Sequence, residues 1–94
     1  MNPDLTVTFL GVRGTAPCCG PEYQVYGGHT SCVLIQAGSD IIIFDAGSGI
    51  MNAHKFIKEK PKTVHLFLSH VHLDHIMGLS SFKYIWDQNV TVHI

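Results

Sequence analysis

Ser69-His70-Val71-His72-Leu73-Asp74-His75-Ile76-Met77-Gly78-Leu79 is the stretch that decides how this chain is read. Four of the six positions from His70 to His75 are metal-ligand residue types, with no positive charge among them. Three imidazoles crowded together repel one another once protonated, whereas neutral imidazoles can each donate a lone pair to a shared cation. The stretch follows an apolar strand, residues 63–69, in which Val64, Leu66 and Leu68 alternate with His65 and Phe67. Alternate residues beyond a strand end point the same way, so His70 and His72 can converge on one side. Asp74 and His75 follow after the chain turns and address an adjacent position. The spacing suits two neighbouring cations better than one. Mixed His and carboxylate donors favour zinc, with iron or manganese as alternatives. Two such cations about 3.5–4 Å apart share a water, lower its pKa toward ~7 and make a hydroxide nucleophile. The chemistry implied is hydrolysis.

Working outward, residues 41–44 (Ile-Ile-Ile-Phe) form a continuous apolar run, expected to be a strand covered on both faces. It ends at Asp45-Ala46-Gly47-Ser48-Gly49, which puts a carboxylate on a tight strand-to-helix turn. Asp45 there either caps the helix, as Ser48 also can, or orients a metal-bound histidine. Residues 49–60 are expected to be helical. Ile50, Ala53 and Ile57 keep helical spacing, Lys55, Lys58 and Lys60 complement the dipole near the end, and Pro61 closes it. Those lysines read as a solvated helix face, and His54 as a packing or surface residue.

Leu5, Val7 and Phe9 alternate with Thr6 and Thr8, a half-buried first strand. Residues 12–28 form a glycine- and proline-punctuated loop, long enough to suggest a task. Its basic residue Arg13 serves either as a contact for a substrate anion or as a solvated side chain. Residues 30–37 make a second strand, and Gly38-Ser39-Asp40 a hairpin turn. Residues 80–86 are expected to pack Phe82, Ile85 and Trp86 from a short helix or turn. Residues 90–94 begin a further strand. His65 reads as a partly buried, hydrogen-bonded strand residue, and His93 as a strand residue rather than a stray ligand.

Composition sets the class. Residues 1–94 make one small domain or part of a larger one. Hydrophobic residues at 46% against 14% charged describe a globular chain. A formal net charge of -1 offers no basic nucleic-acid patch and no polybasic membrane patch. No apolar run approaches the ~18 residues that span a bilayer, and the N-terminus lacks signal-peptide features, so a cytoplasmic location is expected. Cys18, Cys19 and Cys32 are odd in number and two are adjacent, which disfavours disulfides. A zinc site from these cysteines and His29 fits no closed structural spacing.

His70-x-His72-x-Asp74-His75 after an apolar strand, together with the earlier Phe44-Asp45-Ala46-Gly47-Ser48-Gly49, resembles the metallo-β-lactamase-fold hydrolase superfamily. Leu10-Gly11-Val12-Arg13-Gly14-Thr15-Ala16-Pro17 and Tyr26-Gly27-Gly28-His29-Thr30-Ser31-Cys32 resemble its ribonuclease Z-like and cyclic-nucleotide phosphodiesterase branch. The resemblance implies an α/β (α+β) fold: the N-terminal half of a four-layer αββα sandwich, a mixed sheet with helices on one face. It implies that His70 and His72 bind a first metal and Asp74 and His75 a second, two zinc ions (or Mn2+ or Fe2+) per complete site. Asp45 would support the ligands from behind, and Asp74 would also serve as the catalytic residue in proton transfer. His29 stands where relatives often carry asparagine. The family completes its sites with a later histidine, a bridging aspartate and a final histidine, which residues 1–94 do not include. The expected partner is therefore a missing C-terminal half or a second copy, and the open sheet face should be apolar. A phosphodiester or nucleotide substrate follows from the resemblance. The competing expectation is a non-catalytic remnant or metal-binding half-domain that assembles with another chain.

Overall fold

The computed structural model describes residues 5–94; the N-terminal residues read above for a signal peptide lie outside them. Five strands form one sheet in sequence order: β1 (Leu5–Gly11), β2 (Cys32–Ala37), β3 (Asp40–Phe44), β4 (Thr63–Phe67) and β5 (Thr91–His93). The first three run antiparallel, β2 and β3 joined by a two-residue turn at Gly38-Ser39 with Ala37 opposite Asp40. Gly38 sits at φ 61°, which glycine supplies without a Cβ clash at the first position of a hairpin turn. β3, β4 and β5 are parallel and so need crossovers. These are 3-10 segments, Ser48–Lys55 between β3 and β4, and Leu73–His75, Leu79–Ser81 and Lys83–Trp86 between β4 and β5. The fold is a mixed α/β sheet with its helical turns packed on one face.

The core lies between that face and the turns. Leu34, Ile41, Ile43, Val64 and Leu66 come from the sheet, and Ile50, Ala53, Ile57, Phe82 and Tyr84 from the connections. The other face is open. Register aligns Val7, Ile35, Ile42 and His65 in one row and Phe9, Val33, Phe44 and Phe67 in the next. Phe9 is 69% exposed and Phe67 54%.

Several expectations change here. β3 is not covered on both faces: Ile41 and Ile43 are buried, while Ile42 is half-buried and Phe44 exposed on the open side. In β1 the apolar Leu5, Val7 and Phe9 face outward, and burial reaches only the Leu10 end. The helix expected over residues 49–60 is the 3-10 segment Ser48–Lys55. Its first donors are taken by the neighbouring chain, Ser48 N–H by Thr30 Oγ1 (2.7 Å) and Gly49 N–H by Thr30 O (3.4 Å). That tie pins the entry, and the segment stops at Phe56, whose N–H closes on Ala53 O at 3.0 Å. Residues 30–37 shorten to a strand from Cys32, with Thr30 bridged to Arg13 instead. Trp86 does not pack. It is 75% exposed, its Nε1–H donating to Ser80 O at 2.7 Å, and Tyr84 takes the buried place against Phe82. His65 is exposed and stacks on His93 across β4 and β5 (ring centroids 5.4 Å).

Candidate metal centre

Strands β3 and β4 end level, Phe44 opposite Phe67, and both deliver their functional residues to the same rim of the sheet. Asp45 leaves β3 in the left-handed region at φ 67°, a conformation Asp tolerates better than most residues. Its N–H is held by Phe67 O at 2.8 Å, which fixes the turn against β4. The next residues are locked as firmly: Ala46 N–H donates to His75 O (2.8 Å), and Gly78 N–H to Ala46 O (2.8 Å). The loop carrying the histidines is thereby tied at both sides to the loop carrying the acid.

Of the two readings of Asp45, the cap is not the one its carboxylate adopts. The 3-10 segment that follows has no side-chain cap. Instead Asp45 Oδ1 accepts from Ser69 N–H (2.8 Å), and Oδ2 accepts from Ser69 Oγ–H (2.8 Å) and lies 3.0 Å from His75 Nδ1. Ser69 Oγ is also 3.0 Å from His70 Nδ1. A hydroxyl has one proton to give. With that proton on Asp45, Ser69 accepts from His70 Nδ1–H, and the His70 Nε2 lone pair is left free. Asp45 thus lies against His75 and reaches His70 through Ser69. Ser69 was not singled out from sequence; its position between a strand end and a ligand-type histidine was the available signal.

The other ring nitrogen of His75, Nε2, lies 3.3 Å from Asp74 Oδ2. A neutral imidazole carries one N–H, so it cannot donate to both carboxylates. Nδ1 is buried beside Asp45 without a hydrogen-bond partner among the described residues; whichever nitrogen carries the proton, the other turns a lone pair toward a carboxylate, an arrangement that a cation at Nε2 would stabilise. The His70 ring lies 4.0 Å from that of His75 and 4.6 Å from that of His72, centroid to centroid. All four residues named from the sequence, His70, His72, Asp74 and His75, therefore meet in one cluster, with Asp45 behind it. The donors fit a divalent cation in kind. In number they fall short: among the described residues no three His, Cys, Asp or Glu side chains are placed to hold one ion.

The acids are biased toward their charged forms. Burial works to raise the Asp45 pKa, but the Ser69 N–H, His75 and the Ser69 hydroxyl outweigh it and the net shift is downward. Asp74 is also held below the usual carboxylate range, chiefly by the Thr15 N–H on its Oδ2 at 3.1 Å. Thr15, at φ 73°, is a second contributor that sequence did not reveal.

The remaining candidates fall outside the cluster. His29 is tied to the 3-10 segment, Nδ1 3.2 Å from Ser48 Oγ and Nε2 3.3 Å from Asn52 Nδ2. The cysteines are free thiols, and Cys32 is buried. Desolvation, helped by the Asp45 charge, pushes its pKa up to about 12, the reverse of what a thiolate ligand needs. Arg13 folds back on its own loop, Nε donating to Ala16 O (2.8 Å) and the guanidinium over the Tyr23 ring at 4.9 Å.

Known proteins resemble this chain in sequence and in fold. The family model described as metallo-beta-lactamase superfamily matches residues 25–94. Ribonuclease Z of Pyrococcus furiosus is 32% identical over 94 residues, covering 96% of this chain and 28% of that protein. Ribonuclease Z of Haloarcula marismortui is 29% identical over 85 residues, covering 90% and 25%. Among solved structures, the metallo-beta-lactamase fold protein YhfI from Bacillus subtilis matches with a TM-score of 0.63 and 27% identity, covering 85% of this chain and 30% of that one. The chain spans less than a third of the length of these relatives.

Proposed function

The chain belongs to the metallo-beta-lactamase superfamily, and from that premise we propose that it contributes one half of a binuclear metal site for hydrolysing phosphodiesters. A second half or a partner chain completes the site. His70 and His72 hold the first cation and Asp74 and His75 the second. Asp45 fixes His75 and, through Ser69, His70. Zinc fits the donor set, with manganese or iron as alternatives. When bound, the cations supply Lewis-acid activation of water and charge stabilisation on the phosphoryl group. Asp74 is held in its charged form by the Thr15 N–H on Oδ2 and takes part in proton transfer. The likeness to two proteins named ribonuclease Z supports a phosphodiester as the substrate class. Three free thiols fit a reducing compartment, and a cytoplasmic location is part of the proposal. Among the described residues no helix is long and apolar enough to cross a membrane.

The observation that carries this reading is His75 held between two carboxylates, 3.0 Å from one and 3.3 Å from the other. A core histidine would have its buried Nδ1 hydrogen-bonded, and here that nitrogen has no hydrogen-bond partner among the described residues. A metal ligand needs a carboxylate to orient it and a second donor beside its lone pair. The shortage of a third donor supports a second reading, a half-domain that binds metal weakly and assembles without catalysis.

Elemental analysis across a size-exclusion peak of known mass, followed by assay on bis(4-nitrophenyl) phosphate, separates them. The hydrolase reading expects an assembled form carrying about two cations per site and turning over the ester. An assembly that carries cations but never turns over, with its fold intact, leaves the non-catalytic reading. An assembly with no cation sinks both.

A further inference from the structure

Residues 12–28 wrap a pocket of about 570 Å3 whose walls include Arg13, Thr15, Glu22, Tyr23, Val25 and Tyr26. We propose that this pocket is a nucleobase subsite: it takes the base of a nucleotide by stacking on Tyr26, with the phosphate directed toward Arg13, at the side of the pocket that Thr15 links to Asp74. The proposal rests on the phosphodiester reading above and names the part of the substrate that this chain recognises.

Position comes first. Thr15 is in the pocket wall, and its N–H donates to Asp74 Oδ2 at 3.1 Å. A ligand in the pocket therefore lies one residue away from the metal cluster. Chemistry comes second. Tyr26 is 83% exposed, which leaves a large aromatic face without a packing partner. Tyr23 has Arg13 over its ring at 4.9 Å, and that contact holds both side chains in place. Aromatic faces accept any base by stacking, and guanidinium adds a cationic edge suited to a phosphate oxygen. Arg13 Nε is spent on Ala16 O, but the ion pairs among the described residues do not include Arg13, so its terminal nitrogens are available. Glu22, the carboxylate in the wall, disfavours phosphate at its own end and can accept from an exocyclic amine. The two charges thus orient a nucleotide, base toward Glu22 and phosphate toward Arg13.

Rigidity comes third. The loop is stapled at its base by Arg13 N–H to His29 O (3.0 Å) and Cys18 N–H to Gly28 O (2.8 Å). Gly28 packs so closely on the Cys18 carbonyl that no Cβ fits there. The 3-10 turn Pro21–Tyr23 then presents Tyr23 from a fixed stem. A pocket of this volume on a stapled loop is within the range of small-ligand sites.

The test is an NMR titration of the isotopically labelled chain, without added metal, with cytidine 5′-monophosphate and separately with ribose 5-phosphate. Saturable shifts are expected at the Tyr23 and Tyr26 rings and at Arg13 Nε with the nucleotide, and much weaker ones with the sugar phosphate. Tyr26→Ala should weaken nucleotide binding by about fivefold to a hundredfold, while Tyr26→Phe retains it. Both variants sit on an exposed ring, and their amide spectra verify the fold. Equal binding of the two ligands, no shifts at these residues, or unchanged affinity in Tyr26→Ala overturns the subsite. The readout requires neither a cation nor turnover. Loss of the hydrolase reading therefore leaves nucleotide binding standing, and hydrolysis by an assembled enzyme does not by itself rescue it.

Discussion

His75 Nδ1 lies 3.0 Å from Asp45 Oδ2, and the same carboxylate accepts two bonds from Ser69, so one acid at the end of β3 organises the loop that leaves β4. Burial alone would raise the Asp45 pKa; the Ser69 and His75 contacts reverse this, and the folded value falls below the ordinary one. A depressed carboxylate contributes stability that is present above its unfolded pKa, near 3.9, and is lost as pH falls through the folded value. Urea unfolding of the wild type should therefore weaken across that acid window. Asp45→Asn should be less stable at neutral pH by about 1–3 kcal/mol, since a buried charge-assisted network loses its acceptor charge. The gap should narrow at low pH, where both side chains are neutral. Asp74 and Asp87 are depressed as well, so the variant should lose only part of the acid dependence. A constant gap from neutral to acid pH would show that the charge is not what stabilises the turn.

Gly47 sits at the crossing of three chain segments. A Cβ there would lie 2.5 Å from Thr30 Oγ1 and 2.6 Å from the carbonyl oxygens of Asp74 and Ser31. Thr30 is fully buried and the other two contacts are backbone, so none can yield cheaply. Gly47→Ala should cost about 1–3 kcal/mol, as overpacked sites do. Gly14→Ala, with nothing within 4 Å of its added Cβ, is the matched control and should change little. Denaturant midpoints decide the matter. Because Asp74 O is one of the blocked atoms, Gly47→Ala should also perturb Asp74 and His75 resonances, which Gly14→Ala should not.

How far the sequence could be read depends on whether the deciding contact is local. Apart from β3, which its continuous apolar run placed, alternation placed the strands, because side-chain period is a property of the strand itself. It could not say which face would be covered. In β1 the apolar residues Leu5, Val7 and Phe9 are the uncovered ones, and that follows from where the crossovers pack. The spacing of Ile50, Ala53 and Ile57 does bury all three, yet i and i+3 contacts suit a 3-10 turn as well as an α-helix. Thr30, distant in sequence, settles it by claiming the first donors. The cluster from His70 to His75 was legible because its members are neighbours in the chain. Its supports were not: Asp45 is 24 residues from Ser69, and Thr15 is 59 from Asp74. The stacking of His65 on His93 likewise depends on the parallel register of β4 and β5.

The open sheet face makes its own prediction. Phe44 and Phe67 stack at 5.5 Å between ring centroids, in register with Val33 and Phe9, and form an apolar strip with no cover among the described residues. Such strips mark association surfaces. Replacing Phe9 and Phe67 by Thr keeps β propensity while removing apolar area. The double variant should keep its fold, losing about 1 kcal/mol or less, because both side chains are more than half exposed. It should bind less of a hydrophobic dye and shift any self-association toward monomer in sedimentation. A large loss of stability with unchanged association would mean that the face serves the fold of this chain and no partner.

The last prediction separates a ligand from the residue that aims it. Ser69 Oγ stands between Asp45 and His70 Nδ1, 2.8 Å from one and 3.0 Å from the other. It donates nothing to a cation itself in the proposed site. His75→Ala removes a proposed ligand and should abolish measurable zinc binding at the second position, read by competition with a chromophoric chelator. Ser69→Ala leaves every ligand in place but frees the His70 ring. Loss of such an outer support typically lowers metal affinity by about 10–100-fold, and the same is expected here. Ser69→Thr keeps the hydroxyl and should recover much of it. Binding in all forms should weaken as pH falls, because protons compete for the imidazole nitrogens that the cation needs. If Ser69→Ala binds zinc as the wild type does while His75→Ala does not, the chain from Asp45 through Ser69 holds the turn together without tuning the metal site.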